Sequence, residues 1–194
     1  MKTDIILAGV GGQGILSIAA TIGMATLKNN LYFKQSEVHG MSQRGGAVQS
    51  HFRMSDKEIA SDLIPKGKAD LILSVEPMES LRYLPFLSDN GWVVTNTKPY
   101  INIPNYPEME NIMQEIKAIS NHVAIDAETI AKDLGTVKAS NMVMLGAASP
   151  YINVPFESLI EGVKDIFGSK GENIVSLNIN ALKAGREFSE GSQR

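Results

Sequence analysis

The stretch "LAGVGGQGIL", residues 7–16, sets four glycines and one glutamine between two apolar runs near the start of the chain. Upstream, residues 4–8 (DIILA) form a short apolar run ended by Gly9, which reads as a buried strand. Downstream, Ile15, Ile18, Ala19, Ile22 and Leu27 recur at helical spacing. The stretch therefore predicts a strand, a glycine loop and a helix, and Gly9, Gly11 and Gly14 fit the spacing G-x-G-x-x-G. Missing side chains let the backbone approach a ligand, while free amides and the positive end of the helix favour an anion. A dinucleotide site also wants an acidic residue about twenty positions further on to hold the ribose. There the chain reads Tyr32-Phe33-Lys34-Gln35-Ser36, and the first carboxylate is Glu37. Taken alone, the loop leaves three readings open: a dinucleotide, another phosphate ligand, or a tight turn needed only for packing.

The alternation continues along the chain. Strands are expected over residues 31–35, 47–54 (AVQSHFRM), 69–75 (ADLILSV), 91–95 and 122–126, with an irregular polar loop between the first two. Helices are expected from Glu76-Pro77 to about 84, from about 108 with Ile112, Met113, Ile116 and Ile119 as its stripe, and over 127–134 with Gly135 as its stop. Three more follow over 139–148, 155–167 and 172–188. Residues 98–107 carry three prolines and little periodicity, and read as a surface excursion. This order predicts an α/β three-layer sandwich with a mixed, mainly parallel, Rossmann-like sheet. One domain over residues 1–188 and a flexible tail over 189–194 are expected.

Composition narrows the function. With 194 residues, 43% hydrophobic and 20% charged, the chain can bury one substantial core. The formal net charge is -3 and the basic residues are scattered, so no nucleic-acid partner is expected. No apolar run approaches the roughly 18 to 20 residues that cross a bilayer, and the start runs straight into a strand; no membrane partner and a cytoplasmic location are expected. The absence of cysteine excludes disulfides, a thiol nucleophile, a thiolate zinc site and any iron-sulfur cluster ligated by this chain. The nine methionines read as adaptable packing.

A second stretch, residues 35–53, reads "QSEVHGMSQRGGAVQSHFR". Packing does not call for Glu37, His39, Ser42, Gln43, Arg44 and a Gly45-Gly46 pair in one loop, so the loop reads as a binding loop. Arg44 can make a bidentate contact to phosphate or carboxylate, and Gly45 and Gly46 let the backbone come close. His39 is either a positioning or acid-base group or a loop hydrogen bond; His51 and His122 read as structural. Glu76 stands at the end of a strand, where parallel sheets place ligands, or simply opens the next helix, where a carboxylate favours the dipole.

Together, "GVGGQG", "EVHGMSQRGGAV", "ADLILSVEPMES" and "NMVMLGA", in order from residue 5 to about 148, resemble the gamma-type component of the 2-oxoacid:ferredoxin oxidoreductases. Within that family the resemblance is to the indolepyruvate:ferredoxin oxidoreductase branch, whose small chain is its beta subunit. It implies an enzyme in which a larger partner subunit carries thiamine diphosphate with its Mg ion and the iron-sulfur clusters. That enzyme decarboxylates an aryl-2-oxoacid oxidatively, gives the acyl group to coenzyme A and passes electrons to ferredoxin. This chain, with no cysteine and no Gly-Asp-Gly partner for Asn29-Asn30, is expected to bind none of those cofactors alone, to hold no metal or catalytic residue and to be inactive alone. By the resemblance, Gly9, Gly11, Gly12, Gln13 and Gly14 with Gln43, Arg44, Gly45 and Gly46 are the motif positions. Gly11, Gly12 and Gly14 are expected to present amides to a phosphate or a partner loop, and Gln13 to bond across that interface. Arg44 is expected to pair with an anionic group of coenzyme A or a partner carboxylate. His39 and Glu76 complete the candidate set. Isolated, the chain is expected to form a homodimer if surfaces made for the partner pair with each other. A freestanding dinucleotide-binding oxidoreductase domain and a purely structural subunit are the alternatives.

Overall fold

Strand β1 (Lys2–Val10) lies inside the sheet because both its faces are apolar. Ile5 and Leu7 point into one core and Ile6 and Ala8 into another, as the two-residue period of a strand requires. The computed structural model describes residues 1–39 and 45–192, without the His39 side chain. Among these, six strands form one sheet in the order β2-β3-β1-β4-β5-β6. The strands are β2 (Tyr32–His39), β3 (Ala47–Ser55), β4 (Ala69–Ser74), β5 (Leu87–Asn96) and β6 (His122–Ile125). β1, β4, β5 and β6 run parallel, and β3 is antiparallel to both β1 and β2. The mixed, mainly parallel three-layer architecture is the one expected.

The layers are unequal. One face of the sheet is covered by α1 (Ile15–Lys28), α4 (Ala127–Asp133), α5 (Ser140–Ala148), α6 (Phe156–Phe167) and α7 (Glu172–Ser192). The other carries α2 (Pro77–Arg82), a 3-10 turn at Leu84–Phe86, α3 (Met109–Lys117) and Ile64 from the preceding loop. On this thinner face His51 is edge-on to Phe86 and accepts from the Ile64 amide at 2.9 Å. Burial pushes its imidazole below the ordinary histidine value, although Asp62 opposes that shift. Beside it, the buried Asp4 accepts from Arg53 at 2.8 Å, and Arg53 holds the Ser61 and Leu63 carbonyls, which ties the 59–64 loop to the sheet. His51 is thus structural, as read.

Two expectations need correction. β2 extends to His39, so Glu37 and His39 sit on a strand, paired with Ser50 and Val48, and not in an irregular loop. Pairing with β3 overrides their polarity, because an edge strand tolerates polar side chains. The tail expected from Ser189 is helical to Ser192: Ser189 is fully buried, with its Oγ 3.3 Å from the Tyr151 hydroxyl. Residues 193–194 lie outside the described residues.

Helix α5 is buried from Asn141 to Ala148, which explains why "NMVMLGAA" shows no polar face. It meets α7 backbone to backbone. A Cβ on Gly146 would lie 1.9 Å from the Leu182 carbonyl oxygen, and one on Gly185 would lie 1.9 Å from that of Val143. Alanine at 185 gains about 1 kcal/mol of helix propensity but forces the helices apart. We expect Gly185→Ala to lose a net of about 2 kcal/mol or more in denaturant unfolding; unchanged or raised stability would contradict this contact.

Candidate functional site

The carboxyl ends of β1, β4 and β5 meet the β2–β3 connection at one edge of the sheet. The chain leaves β1 toward β2 on one side and returns to β4 on the other, so a crevice opens between them, where open α/β sheets place ligands. The glycine loop fills its floor. A Cβ on Gly9 would lie 2.4 Å from Val75 Cγ2, so Gly9 lets the ends of β1 and β4 close together. Gly12 and Gly14 have φ of 102° and 83°, a left-handed backbone that side chains rarely adopt.

The loop is tied by its own residues. The Gly11 amide donates to the Gly46 carbonyl at 2.9 Å, so it is not free for a phosphate. Gln13 turns inward: its Oε1 accepts from the Val10 amide at 2.7 Å and its Nε2 donates to the Val75 carbonyl at 3.4 Å. That side chain joins β1 to β4 and does not reach across an interface. The Gly12 and Gly14 amides meet no acceptor among the described residues. Helix α1 follows with no side-chain cap and no acidic residue in its first turn, so its positive end is not neutralised there. A cleft of about 300 Å³ opens beside it, lined by Gly11, Gly12, Gly14, Leu16, Glu37 and Val48.

Glu76 is fully buried across the crevice, and both its oxygens are used. Oε2 accepts from the Glu79 amide at 2.9 Å and caps α2. Oε1 accepts from the Tyr100 amide at 3.3 Å and from the Tyr106 hydroxyl in a short bond. Burial, together with this carboxylate, pushes the Tyr106 hydroxyl well above the ordinary tyrosine range. Glu76 thereby pins the excursion over residues 98–107 to the sheet edge. Asn102, in the same segment, donates to the Gly45 carbonyl at 2.7 Å and so ties it to the β2–β3 connection. Glu79, one turn on, is also buried; burial raises its carboxyl pKa while Arg82, bonded at 2.8 Å, opposes the rise.

The structure thus gathers Gly9, Gly11, Gly12, Gln13, Gly14, Gly45 and Gly46 at one place, with Glu76 at its far side. His39 ends β2 next to them; Gln43 and Arg44 lie outside the described residues. The sequence reading missed Tyr100, Asn102 and Tyr106. Their signal was present in "PYINIPNYP", where aromatic and amide side chains sit between prolines. A larger hollow of about 670 Å³, lined by Trp92, Lys117 and His122 among others, contains none of the candidate residues. No group of three or more His, Cys, Asp or Glu among the described residues could hold a metal ion. No helix among them is long and apolar enough to cross a membrane.

Fold and site together define a Rossmann-like α/β chain with a glycine loop at its switch point. The model of the pyruvate ferredoxin/flavodoxin oxidoreductase family matches residues 4–188, and the chain belongs to that family. It is 38% identical to the indolepyruvate oxidoreductase subunit IorB of Archaeoglobus fulgidus, over 95% of this chain and 94% of that one. It is 37% identical to the subunit of the same name from Methanothermobacter thermautotrophicus, over 95% and 96%. Among solved structures, a 2-oxoglutarate:ferredoxin oxidoreductase from Magnetococcus marinus, with 2-oxoglutarate, coenzyme A and succinyl-CoA bound, superposes with a TM-score of 0.76 at 21% identity. The match covers 98% of this chain and 31% of that one.

Tyr106→Phe removes one bond to a buried carboxylate. We expect a loss of about 1–3 kcal/mol, concentrated in the 98–107 segment. Hydrogen exchange at the Tyr100 amide should accelerate; unchanged exchange there would show that Glu76 does not pin this segment.

Proposed function

We propose that the chain is the small, cluster-free subunit of a coenzyme-A-acylating 2-oxoacid:ferredoxin oxidoreductase acting on indolepyruvate and related aryl-2-oxoacids. The observation that carries this reading is the near full-length identity to subunits named for indolepyruvate oxidoreductase. Thiamine diphosphate with Mg and the iron-sulfur clusters, held by a larger partner subunit, supply decarboxylation and the electron path to ferredoxin. The lack of any cysteine in this chain supports that partition. The complex works in the cytoplasm.

This chain's own part is to bind and position coenzyme A at the glycine-loop edge. The Gly12 and Gly14 amides and the uncapped start of α1 suit a phosphate oxyanion. Gly9, Gly11 and Gln13 hold that loop in shape, with Gly45 and Gly46 against it. Arg44 and Gln43, in the adjoining connection, bind an anionic group of coenzyme A, with His39 at its entrance; Glu76 acts by fixing the 98–107 segment. The exposed Leu16, Val38 and Ile101 rim the same edge and suit the partner subunit. Without that partner, the same apolar rim is where two copies of this chain pair.

The dinucleotide alternative is weakened by strand order. β3 lies between β1 and β2, which moves the end of β2 about 10 Å from β1, two strand spacings instead of one.

The test is co-expression with the cluster-bearing subunit and an assay of indolepyruvate-dependent acceptor reduction, with each chain omitted in turn. Activity should require both. Full activity of the partner alone would sink the proposal. In the complex, Arg44→Ala should raise the KM for coenzyme A about tenfold or more with the fold intact; an unchanged KM removes Arg44 from the site.

A further inference from the structure

Gly45 precedes β3 by two residues, with a φ of 80°, and a Cβ there would meet nothing within 4 Å. A left-handed backbone, not crowding, calls for glycine at this position. A glycine in open space has no side chain to hold its peptide plane, so the direction of its carbonyl depends on hydrogen bonds. Asn102 supplies one: its Nδ2 donates to that carbonyl at 2.7 Å. The partner fixes which end of the side-chain amide is nitrogen, since the flipped amide would set two acceptors against each other. On the glycine-loop side, the Gly46 carbonyl accepts from the Gly11 amide at 2.9 Å, and the Gly45 amide reaches the Gly11 carbonyl at 3.5 Å.

Asn102 is itself held from both sides. Two residues before it the Tyr100 amide donates to the buried Glu76 carboxylate, and four residues after it the Tyr106 hydroxyl does the same. Glu76 follows Val75, whose carbonyl accepts from Gln13 of the glycine loop. These bonds close a ring around the crevice. It runs from Gln13 to Val75 and Glu76, through Tyr100 and Asn102 to Gly45 and Gly46, and back to Gly11. Each bond in a closed ring shortens the loop that the others must hold, so removing one loosens the rest. The Asn102 bond is the link of this ring between the 98–107 segment and the β2–β3 connection.

The ring ends where the available amides begin. Gly12 follows Gly11 directly and Gly14 follows Gln13; both are left-handed, so the aim of their N–H groups is set by how Gly11 and Gln13 are held. We propose that Asn102 is a positioning residue for the oxyanion site at the Gly12 and Gly14 amides. By holding the Gly45 carbonyl it keeps Gly46 on Gly11, and so keeps the two amides aimed at one phosphate. The proposal rests on the reading that this site takes a phosphate of coenzyme A. Asn102 acts through Gly45, so its loss is felt in coenzyme A binding and not in turnover of the 2-oxoacid once coenzyme A is saturating.

The test compares Asn102→Ala and Asn102→Asp in the complex with the cluster-bearing subunit. Aspartate keeps the shape of the side chain and lacks the donor, so a packing role predicts parental behaviour and the hydrogen bond predicts a loss. Both variants should raise the KM for coenzyme A about three- to tenfold, as expected for one hydrogen bond, with kcat and the KM for indolepyruvate unchanged. In the full chain alone, hydrogen exchange at the Gly11 amide should accelerate by a similar factor, because its bond to Gly46 opens more often. Asn105→Ala, at an exposed position in the same segment, should change neither. A parental KM for coenzyme A in Asn102→Asp, or unchanged Gly11 exchange in both variants, overturns the proposal. Gly12→Ala separates it from the reading beneath it: a Cβ there meets nothing within 4 Å but strains the left-handed backbone, so the KM for coenzyme A should rise. If Gly12→Ala raises that KM and Asn102→Ala does not, the role of Asn102 alone falls. If neither raises it, the site does not take coenzyme A and both fall.

Discussion

The close approach of β1 and β4 at their carboxyl ends is the constraint on which the rest depends. Gly9 permits it, since any side chain there would strike Val75, and Gln13 locks it by bonding Val10 and Val75 at once. With those two strand ends fixed, Gly11 sits against Gly46 and registers the β2–β3 connection on one side. On the other, Val75 leads directly into Glu76, whose carboxylate caps α2 and gathers Tyr100 and Tyr106. The described part of the edge is therefore held together by the protein's own groups, which lowers the ordering cost of binding a ligand there.

Much of this was legible in the residues, and the pattern of successes has a physical basis. The apolar strands at residues 4–8 and 69–75 and the helix after the glycine loop were readable because burial on both faces leaves an unmistakable composition. The extent of β2 was not, because Glu37 and His39 are polar residues held in a strand by their partners Ser50 and Val48, and pairing is a non-local fact. The fate of Ser189 was hidden for the same reason: only Tyr151, far away in sequence, makes its burial intelligible. Local chemistry could be read; what distant segments do to it could not.

The same distinction governs the site. Glycine spacing located the loop, and the cluster of polar residues and glycines over residues 35–53 pointed to the second stretch, whose Gly45 and Gly46 lie beside it. Spacing could not say which amides remain available. Gly11 and Gln13 stand in the motif like Gly12 and Gly14, yet the Gly11 amide and the Gln13 side chain are spent on holding the loop, whereas the Gly12 and Gly14 amides meet no acceptor among the described residues. Nor could it reveal that Glu76, a carboxylate at a strand end, has both oxygens occupied within the chain. A motif residue near a ligand site is as useful for shaping the site as for touching the ligand, and only the partner of each polar atom separates the two roles.

Strand order carries the last step. A dinucleotide fold needs the strand after the first helix beside β1, so that its acidic end reaches the ribose while the glycine loop holds the pyrophosphate. Here β3 occupies that place, and Glu37 reaches the cleft from one strand further out. The insertion keeps the amide end of α1 open to a phosphate while removing the geometry that would fix a nicotinamide or flavin nucleotide along the sheet edge. An edge built this way suits a single phosphate group better than a dinucleotide laid along the strand ends, and the chain has no cysteine with which to hold a cluster itself.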